Sequence, residues 1–352
     1  MGEFPCLTTG PPLDVSSNRS STMRTHPLSL SIVIAASSRT EKLSRTIQSL
    51  ASCDFPSCYN KTVIVENGDS ATLRHLSSTN TGIPNLQYIF RSRPGKTSAL
   101  NAALRAIEDG LIFFTDDDIT FHSDILNAYV HAAESAPKRA YFGGPHETPK
   151  NRVIPTHIKA YLPASAQDRI HNPVTKDRRF TGFMGFNWAA YAHDLRATGG
   201  FDPRLGPGST LNSVGDETEM QIRLQESGCE PIFVPDARVE HRVSPATYTE
   251  EWILDRRYRE ALWPGWTLCA KHLASNKTHT PVWLYMNWIT QGLRSIVARS
   301  FASDRRFIEA YQFAWHRGFL TGYTRAKRRD DLLLSVSAIT GMNGRSKATS
   351  SL

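Results

Sequence analysis

Leu111-Ile112-Phe113-Phe114-Thr115-Asp116-Asp117-Asp118 is the stretch that decides the fold. A short run of branched and aromatic residues reads as a buried strand. Carboxylates at its C-terminal end point into the crevice where open α/β sheets hold ligands. Three adjacent negative charges repel one another and need a partner. A hard divalent cation, Mg2+ or Mn2+, suits oxygen ligands and can also hold phosphate oxygens. A plainer reading, an acidic turn leading into a helix over Ser123–Ser135, is about as good for an isolated acidic triplet, because such motifs arise by chance. The surroundings decide.

Upstream, Leu28–Ala35 and Lys61–Val65 read as strands, Leu86–Phe90 as a third, and Glu41–Ala51 and Thr97–Glu108 as helices. Leu43, Ile47 and Leu50 share one face of the first helix; Leu100, Leu104 and Ile107 share one face of the second. Strands alternating with helices argue for a mostly parallel sheet with crossover helices. Downstream, residues 144–180 are rich in Pro, His, Arg and Asn and weakly periodic, and are expected to form a long functional loop region. Order returns at Gly185–Tyr191, with helices near Asp194–Thr198 and over Glu217–Glu226, and strands near Pro231–Val234 and Ala237–His241. Beyond Thr249 the pattern is helical. Phe307, Ile308, Tyr311, Ala314, Trp315, Phe319 and Gly322 form a stripe expected to pack on the main domain rather than enter a membrane. Trp283, Tyr285, Trp288 and Ile289 lie in a shorter helix.

The chain has 352 residues, 40% hydrophobic and 21% charged, which excludes a disordered protein. No apolar run reaches the roughly 18 residues of a spanning helix. The opening shows no basic region followed by an apolar core, so no secretory leader is expected. Five scattered cysteines, Cys6, Cys53, Cys58, Cys229 and Cys269, read as reduced thiols of a cytoplasmic protein. The net charge of +8 is uneven: from Trp252 onward there are 16 Lys and Arg against 6 Asp and Glu, leaving 25 against 27 before it. That segment also holds six of the seven tryptophans, a mixture suited to an anionic membrane surface, at which the protein would sit peripherally.

Four motifs in order resemble the family 2 inverting glycosyltransferases of GT-A fold, over about residues 28–245: VENGDS (Val65–Ser70), RPGKTSALNAAL (Arg93–Leu104), the TDDD ending the strand, and GDETEMQIRLQESG (Gly215–Gly228) followed by PDARVEHR (Pro235–Arg242). The resemblance implies a Rossmann-like α/β domain over 28–248, with a nucleotide-sugar half (28–120) and an acceptor half (121–248). Around it lie a loose tail (1–27), a helical basic extension (249–335) and a polar tail (336–352). It implies a nucleotide-diphosphate sugar donor, UDP-linked by preference, and a saccharide or lipid-linked saccharide acceptor, with Mn2+ or Mg2+ as cofactor and no nucleic acid as partner. Donor contacts fall to Ala36, Glu66, Arg93, Lys96, Asp116 and Asp117. The family usually has Asp at the position of Glu66. Metal ligands fall to Asp118 and Asp116, with His241 as a third ligand or a structural residue. Asn187 and Trp188 face the acceptor, although Trp188 reads equally well as core. Glu217 is the base and Asp216 its helper; the family commonly has the two acids in the order Glu-Asp. A sugar-nucleotide pyrophosphorylase is disfavoured, because the loop Ala36–Thr40 lacks glycine. A non-catalytic binder of nucleotide sugars or anionic polymers is the remaining alternative.

Overall fold

The computed structural model describes residues 28–36, 40–67, 81–92, 94–136, 139–174 and 180–328. Strands β1 (Leu30–Ala36), β2 (Tyr59–Asn67), β3 (Leu86–Arg91) and β4 (Leu111–Asp116) run parallel in the order β3-β2-β1-β4. The physical cause is visible in β1. Ile32 and Ile34 face one side, where helix α1 (Thr40–Ala51) brings Leu43, Ile47 and Leu50. Val33 and Ala35 face the other, where α2 (Lys96–Ala106) brings Ala99, Leu100, Ala103 and Leu104. A strand covered on both faces must be apolar at nearly every position, and this one is apart from the buried Ser31, whose hydroxyl accepts from the Asn60 amide. The observed elements match the expected ones to within a residue or two.

Register then builds the ligand edge. Ala35 pairs with Asp116 across β1 and β4, and Ala36 pairs with Glu66 across β1 and β2. The strand order reverses at β1, so Ala36, Glu66 and Asp116 stand in a row at the crevice of the sheet's topological switch point.

Beyond β4 come two small elements, β5 (Ile119–Phe121) and α3 (Ile125–Ser135), then β6 (Ala140–Gly143) and β7 (His146–Glu147). The main sheet continues from β4 to β8 (Trp188–Tyr191), antiparallel to both neighbours, then to β6 and β9 (Glu230–Phe233). A second sheet has the order β5-β10-β7, where β10 is Val239–His241. Antiparallel pairing sets His241 opposite Ile119, beside the turn that carries Asp117 and Asp118.

Two expectations for the acceptor side are corrected. Trp188 is fully buried between β4 and β6 and stacks on Phe114 with ring centroids 4.8 Å apart, so it has no face for a sugar. Asn187 is also fully buried: its amide donates to the carbonyls of Pro145 and Ala237, both at 2.9 Å, and accepts from the Tyr129 hydroxyl at 2.8 Å. Both residues hold the sheet together. Residues 144–180 are likewise less loop-like than expected. A short helix α4 (Thr156–Lys159) and a 3-10 turn (Ala164–Ala166) bury Ile158, Leu162 and Ala166 with Tyr248 and Phe307. Their four-residue spacing was the overlooked signal.

His146, on β7, donates from Nε2 to the Ala164 carbonyl at 3.1 Å, and burial lowers its pKa to about 4. The unfolded chain takes up this proton near pH 6.5, whereas the folded chain resists until about 4. The stabilisation is therefore complete above pH 6.5 and lost as pH falls toward 4, by at most about 3 kcal/mol. His146→Gln is expected to flatten the decline of Tm between neutral and acid pH; equal slopes for variant and wild type would contradict this.

After α5 (Ala192–Ala197) and α6 (Asp216–Glu226), three long helices close the chain: α7 (Glu250–Ala274), α8 (Val282–Ala298) and α9 (Ser303–Lys327). α7 and α9 meet backbone to backbone: a Cβ at Gly265 would lie 2.0 Å from the Phe319 carbonyl oxygen, and one at Gly322 2.0 Å from that of Leu262. Leu262, Trp266 and Tyr323 pack with Leu205 and Leu211 of the main domain, and Phe307 joins the cluster around Ile158. The apolar stripe of α9 is thus spent on protein contacts, apart from Ile308, which is exposed.

Candidate active site

Asp116 on β4 and the adjacent acids Asp216 and Glu217 on α6, about a hundred residues apart in sequence, converge on one lysine. Lys96 opens α2, and its Nζ lies 2.7 Å from Asp116 Oδ1 and 2.6 Å from Glu217 Oε1. Its backbone N–H is already taken by the Pro207 carbonyl, and the Thr97 hydroxyl donates to Leu205. The loop 204–215 is thereby tied to the start of α2, which brings α6 and its acids alongside. Burial opposes the charge on Lys96, but Asp116, Glu217 and Asp216 together hold its pKa well above the ordinary range. The expected diphosphate lysine is therefore engaged by carboxylates here. Arg93, its expected companion, lies outside the described residues.

The carboxyls of the two acids of α6 are pushed in opposite directions. Burial first, then the Glu217 charge, push the Asp216 carboxyl well above the usual carboxylate range. Burial acts against Glu217 too, but Lys96 holds its carboxylate below that range. Glu217 is therefore ionised at neutral pH, and Asp216 is the member of the pair that burial biases toward the protonated form. Environments that drive two neighbouring acids apart separate their roles, and of the two Glu217 is the better proton acceptor at neutral pH. Gly215, at φ +95°, makes the left-handed turn that starts α6 on Asp216. Asp116 is pushed up to about 6 by burial, against the pull of Lys96 and with the help of Glu217 and Asp118.

Gly185 lies against the base: a Cβ there would sit 2.3 Å from the Glu217 carboxyl carbon. Gly185→Ala is expected to displace that carboxylate by about an ångström and lower kcat about 10²-fold. An alanine variant with wild-type turnover would show that the carboxylate can move without cost.

The other half of the site is the β4–β5 turn. Asp118 Oδ2 is 3.1 Å from Lys42 Nζ, and Oδ1 is 3.4 Å from His241 Nε2. Burial would raise the Asp118 carboxyl, but the hydrogen bond and charge of His241, with Lys42, bring it down to about 2. Thr46 braces the turn, donating from its hydroxyl to the Asp117 carbonyl at 2.8 Å and accepting from the Ile119 N–H and from Arg242. Asp117 is buried in this turn, while Ala36 and Glu66 are buried at the strand edge beside Asp116. Lys42, Thr46 and Arg242 were missed by sequence reasoning, since nothing local marks contacts that span 70 to 200 residues.

The chemistry of the donor set fits a divalent cation at Asp118 and His241. His241 Nδ1 is 2.7 Å from the Ser165 carbonyl and must donate to it. With Nδ1 committed as a donor, Nε2 faces Asp118 Oδ1, and the pair is held by a positive charge between them: a proton on Nε2, or a metal cation that takes its place. Asp116, the other expected ligand, is turned to Lys96. Among the described residues no three acidic, His or Cys side chains form a ready cage, so the remaining ligands would come from phosphate oxygens and water.

The family model described as "Glycosyltransferase like family 2" matches residues 26–261. Among curated proteins none matches the chain. Solved structures with a similar course include the mannosyltransferase PcManGT from Pyrobaculum calidifontis in complex with GDP-Man and Mn2+ (17% identity, TM-score 0.47, 90% of this chain and 81% of that one). S. aureus TarS is similar at 16% identity and TM-score 0.48, covering 88% of this chain and 55% of TarS. GalNAc-T7 with UDP, GalNAc and Mn2+ is similar at 15% identity and TM-score 0.48, covering 69% of this chain and 51% of that one. All three fall below a TM-score of 0.5, and the family match carries the assignment.

Proposed function

The chain belongs to the glycosyltransferase-like family 2, and from that premise we propose that it moves a sugar from a nucleotide-diphosphate sugar to an acceptor hydroxyl in one inverting displacement. The observation that carries this reading is the bridge from the strand-edge acid Asp116 through Lys96 to the ionised Glu217, which joins a donor crevice to a base. Glu66 and Asp116 accept hydrogen bonds from the hydroxyls or base of the nucleoside. Lys96 turns from the carboxylates to the incoming diphosphate, and this frees Glu217. Glu217 then takes the proton of the acceptor hydroxyl. The acceptor oxygen bonds to the anomeric carbon as the bond from that carbon to the diphosphate oxygen breaks on the opposite face. The electron pair leaves with the nucleoside diphosphate, through an oxocarbenium-like transition state. Mn2+ or Mg2+ held by Asp118 and His241 would offset the negative charge of the leaving diphosphate. The acceptor is a saccharide or lipid-linked saccharide, as in the synthesis of cell-surface polysaccharide or glycolipid.

The test is a thermal-shift screen of UDP-, GDP-, dTDP- and CMP-sugars with and without Mn2+. One nucleotide class is expected to stabilise the protein in a Mn2+-dependent manner, by about 2.7 kcal/mol at a hundredfold excess over Kd. Absence of stabilisation by every donor, with salt-sensitive binding to an anionic polymer, would replace the transferase reading by that of a non-catalytic binder.

A further inference from the structure

Helix α8 is built inside out. It turns Leu284, Gln291 and Ala298 toward the protein. Val282, Met286, Ile289, Leu293, Ile296 and Val297 face solvent, each between 46% and 73% exposed. Their spacing of three and four residues makes one continuous stripe, about 22 Å long at 1.5 Å per residue. Trp283, Tyr285 and Trp288 add exposed aromatic edges beside it, and Phe301 continues it past the helix end. An apolar patch of this extent on a soluble surface marks a contact site.

Charge selects the occupant. From Ser275 to Ala302 the sequence contains no Asp or Glu, while Lys277, Arg294 and Arg299 are all exposed. Just beyond, the exposed Arg305 guanidinium lies 4.2 Å from the Phe301 ring centre. A second copy of the chain would bring Arg294 and Arg299 against themselves with no carboxylate on the face to answer them. An anionic partner answers them directly, and Trp and Tyr beside an aliphatic stripe suit the boundary between headgroups and acyl chains. No described helix is long and apolar enough to cross a membrane, so the helix would lie in the surface. We propose that the outer face of α8 is the docking surface for an anionic lipid bilayer. The proposal does not rest on the transferase reading, because lipid binding requires no donor.

The experiment is flotation of the full chain with phosphatidylglycerol–phosphatidylcholine vesicles at low salt, against pure phosphatidylcholine. The wild type is expected to float with the anionic vesicles and to shift its tryptophan emission to the blue. Leu293→Glu with Ile296→Glu, and separately Arg294→Glu with Arg299→Glu, are each expected to reduce the bound fraction at least about tenfold. All four positions are exposed, and unchanged circular dichroism and thermal midpoint keep the comparison among folded proteins. Failure of the wild type to float, or equal flotation of both variants and the wild type, overturns the proposal. A wild-type dimer in light scattering that becomes monomeric in Leu293→Glu/Ile296→Glu also overturns it and assigns the face to a second copy.

Discussion

Glu217→Gln is expected to lower kcat by about 10³-fold, within the range of a positioned general base, while donor affinity stays within a few-fold of wild type. The amide keeps the size and shape of the carboxylate, so the packing against Gly185 survives. It loses the capacity to take a proton. The neighbouring Asp216 is a poor substitute, because burial, the largest cause of its raised pKa, persists after the Glu217 charge is removed. The variant also relieves Lys96 of one of its two anionic partners. Lys96 then turns to a diphosphate at lower cost, so donor binding is expected to be unchanged or slightly tighter. Single-turnover kinetics together with donor titration separate the two effects. Turnover within a few-fold of wild type, with intact donor binding, would show that Glu217 is not the base.

Asp118→Ala is expected to abolish the Mn2+-dependent part of donor stabilisation and to lower kcat/KM by about 10³-fold. The two variants therefore fail differently: Glu217→Gln binds and does not turn over, whereas Asp118→Ala does not bind in the metal-dependent manner. The reason is local. Asp118 is held ionised by Lys42 and His241, and removing it leaves the His241 nitrogen without its oxygen partner and Lys42 without its counter-charge. Backbone contacts of the turn, from Arg242 N–H to the Asp118 carbonyl and from Thr46 to the Asp117 carbonyl, do not involve the lost carboxylate. The turn should keep its shape, and the thermal midpoint without ligand should change little. Equal donor stabilisation with and without Mn2+ in the wild type, unaltered in Asp118→Ala, would remove the cation from the reading.

Much of the architecture was legible because its signals are local. The apolar runs of β1 and β4 and the helical spacing of Leu43, Ile47 and Leu50 are properties of short windows, and the folded chain uses them as read. The row of Ala36, Glu66 and Asp116 was legible for a related reason, since strand ends in a parallel sheet share one edge. Trp188 misled because an aromatic beside a glycine-rich stretch reads alike whether it faces a ligand or a neighbouring strand; its place between β4 and β6 decided for the core. Residues 154–166 misled because proline and polar residues hid a four-residue apolar spacing.

The sequence by itself determined the parallel sheet, the acidic strand end, the pair of acids opening a helix, and the basic, Trp-rich character of the C-terminal segment. Periodicity and composition are written residue by residue. Only the tertiary structure decided that Lys96 joins Asp116 to Glu217, that the carboxyls of Asp216 and Glu217 are pushed in opposite directions, and that Lys42 and His241 flank Asp118. It also decided that α9 spends its apolar stripe on protein while α8 leaves its own to solvent. Charge states and exposed faces depend on which distant groups are brought within a few ångströms and on how much water is excluded between them, and neither quantity exists until the chain is folded.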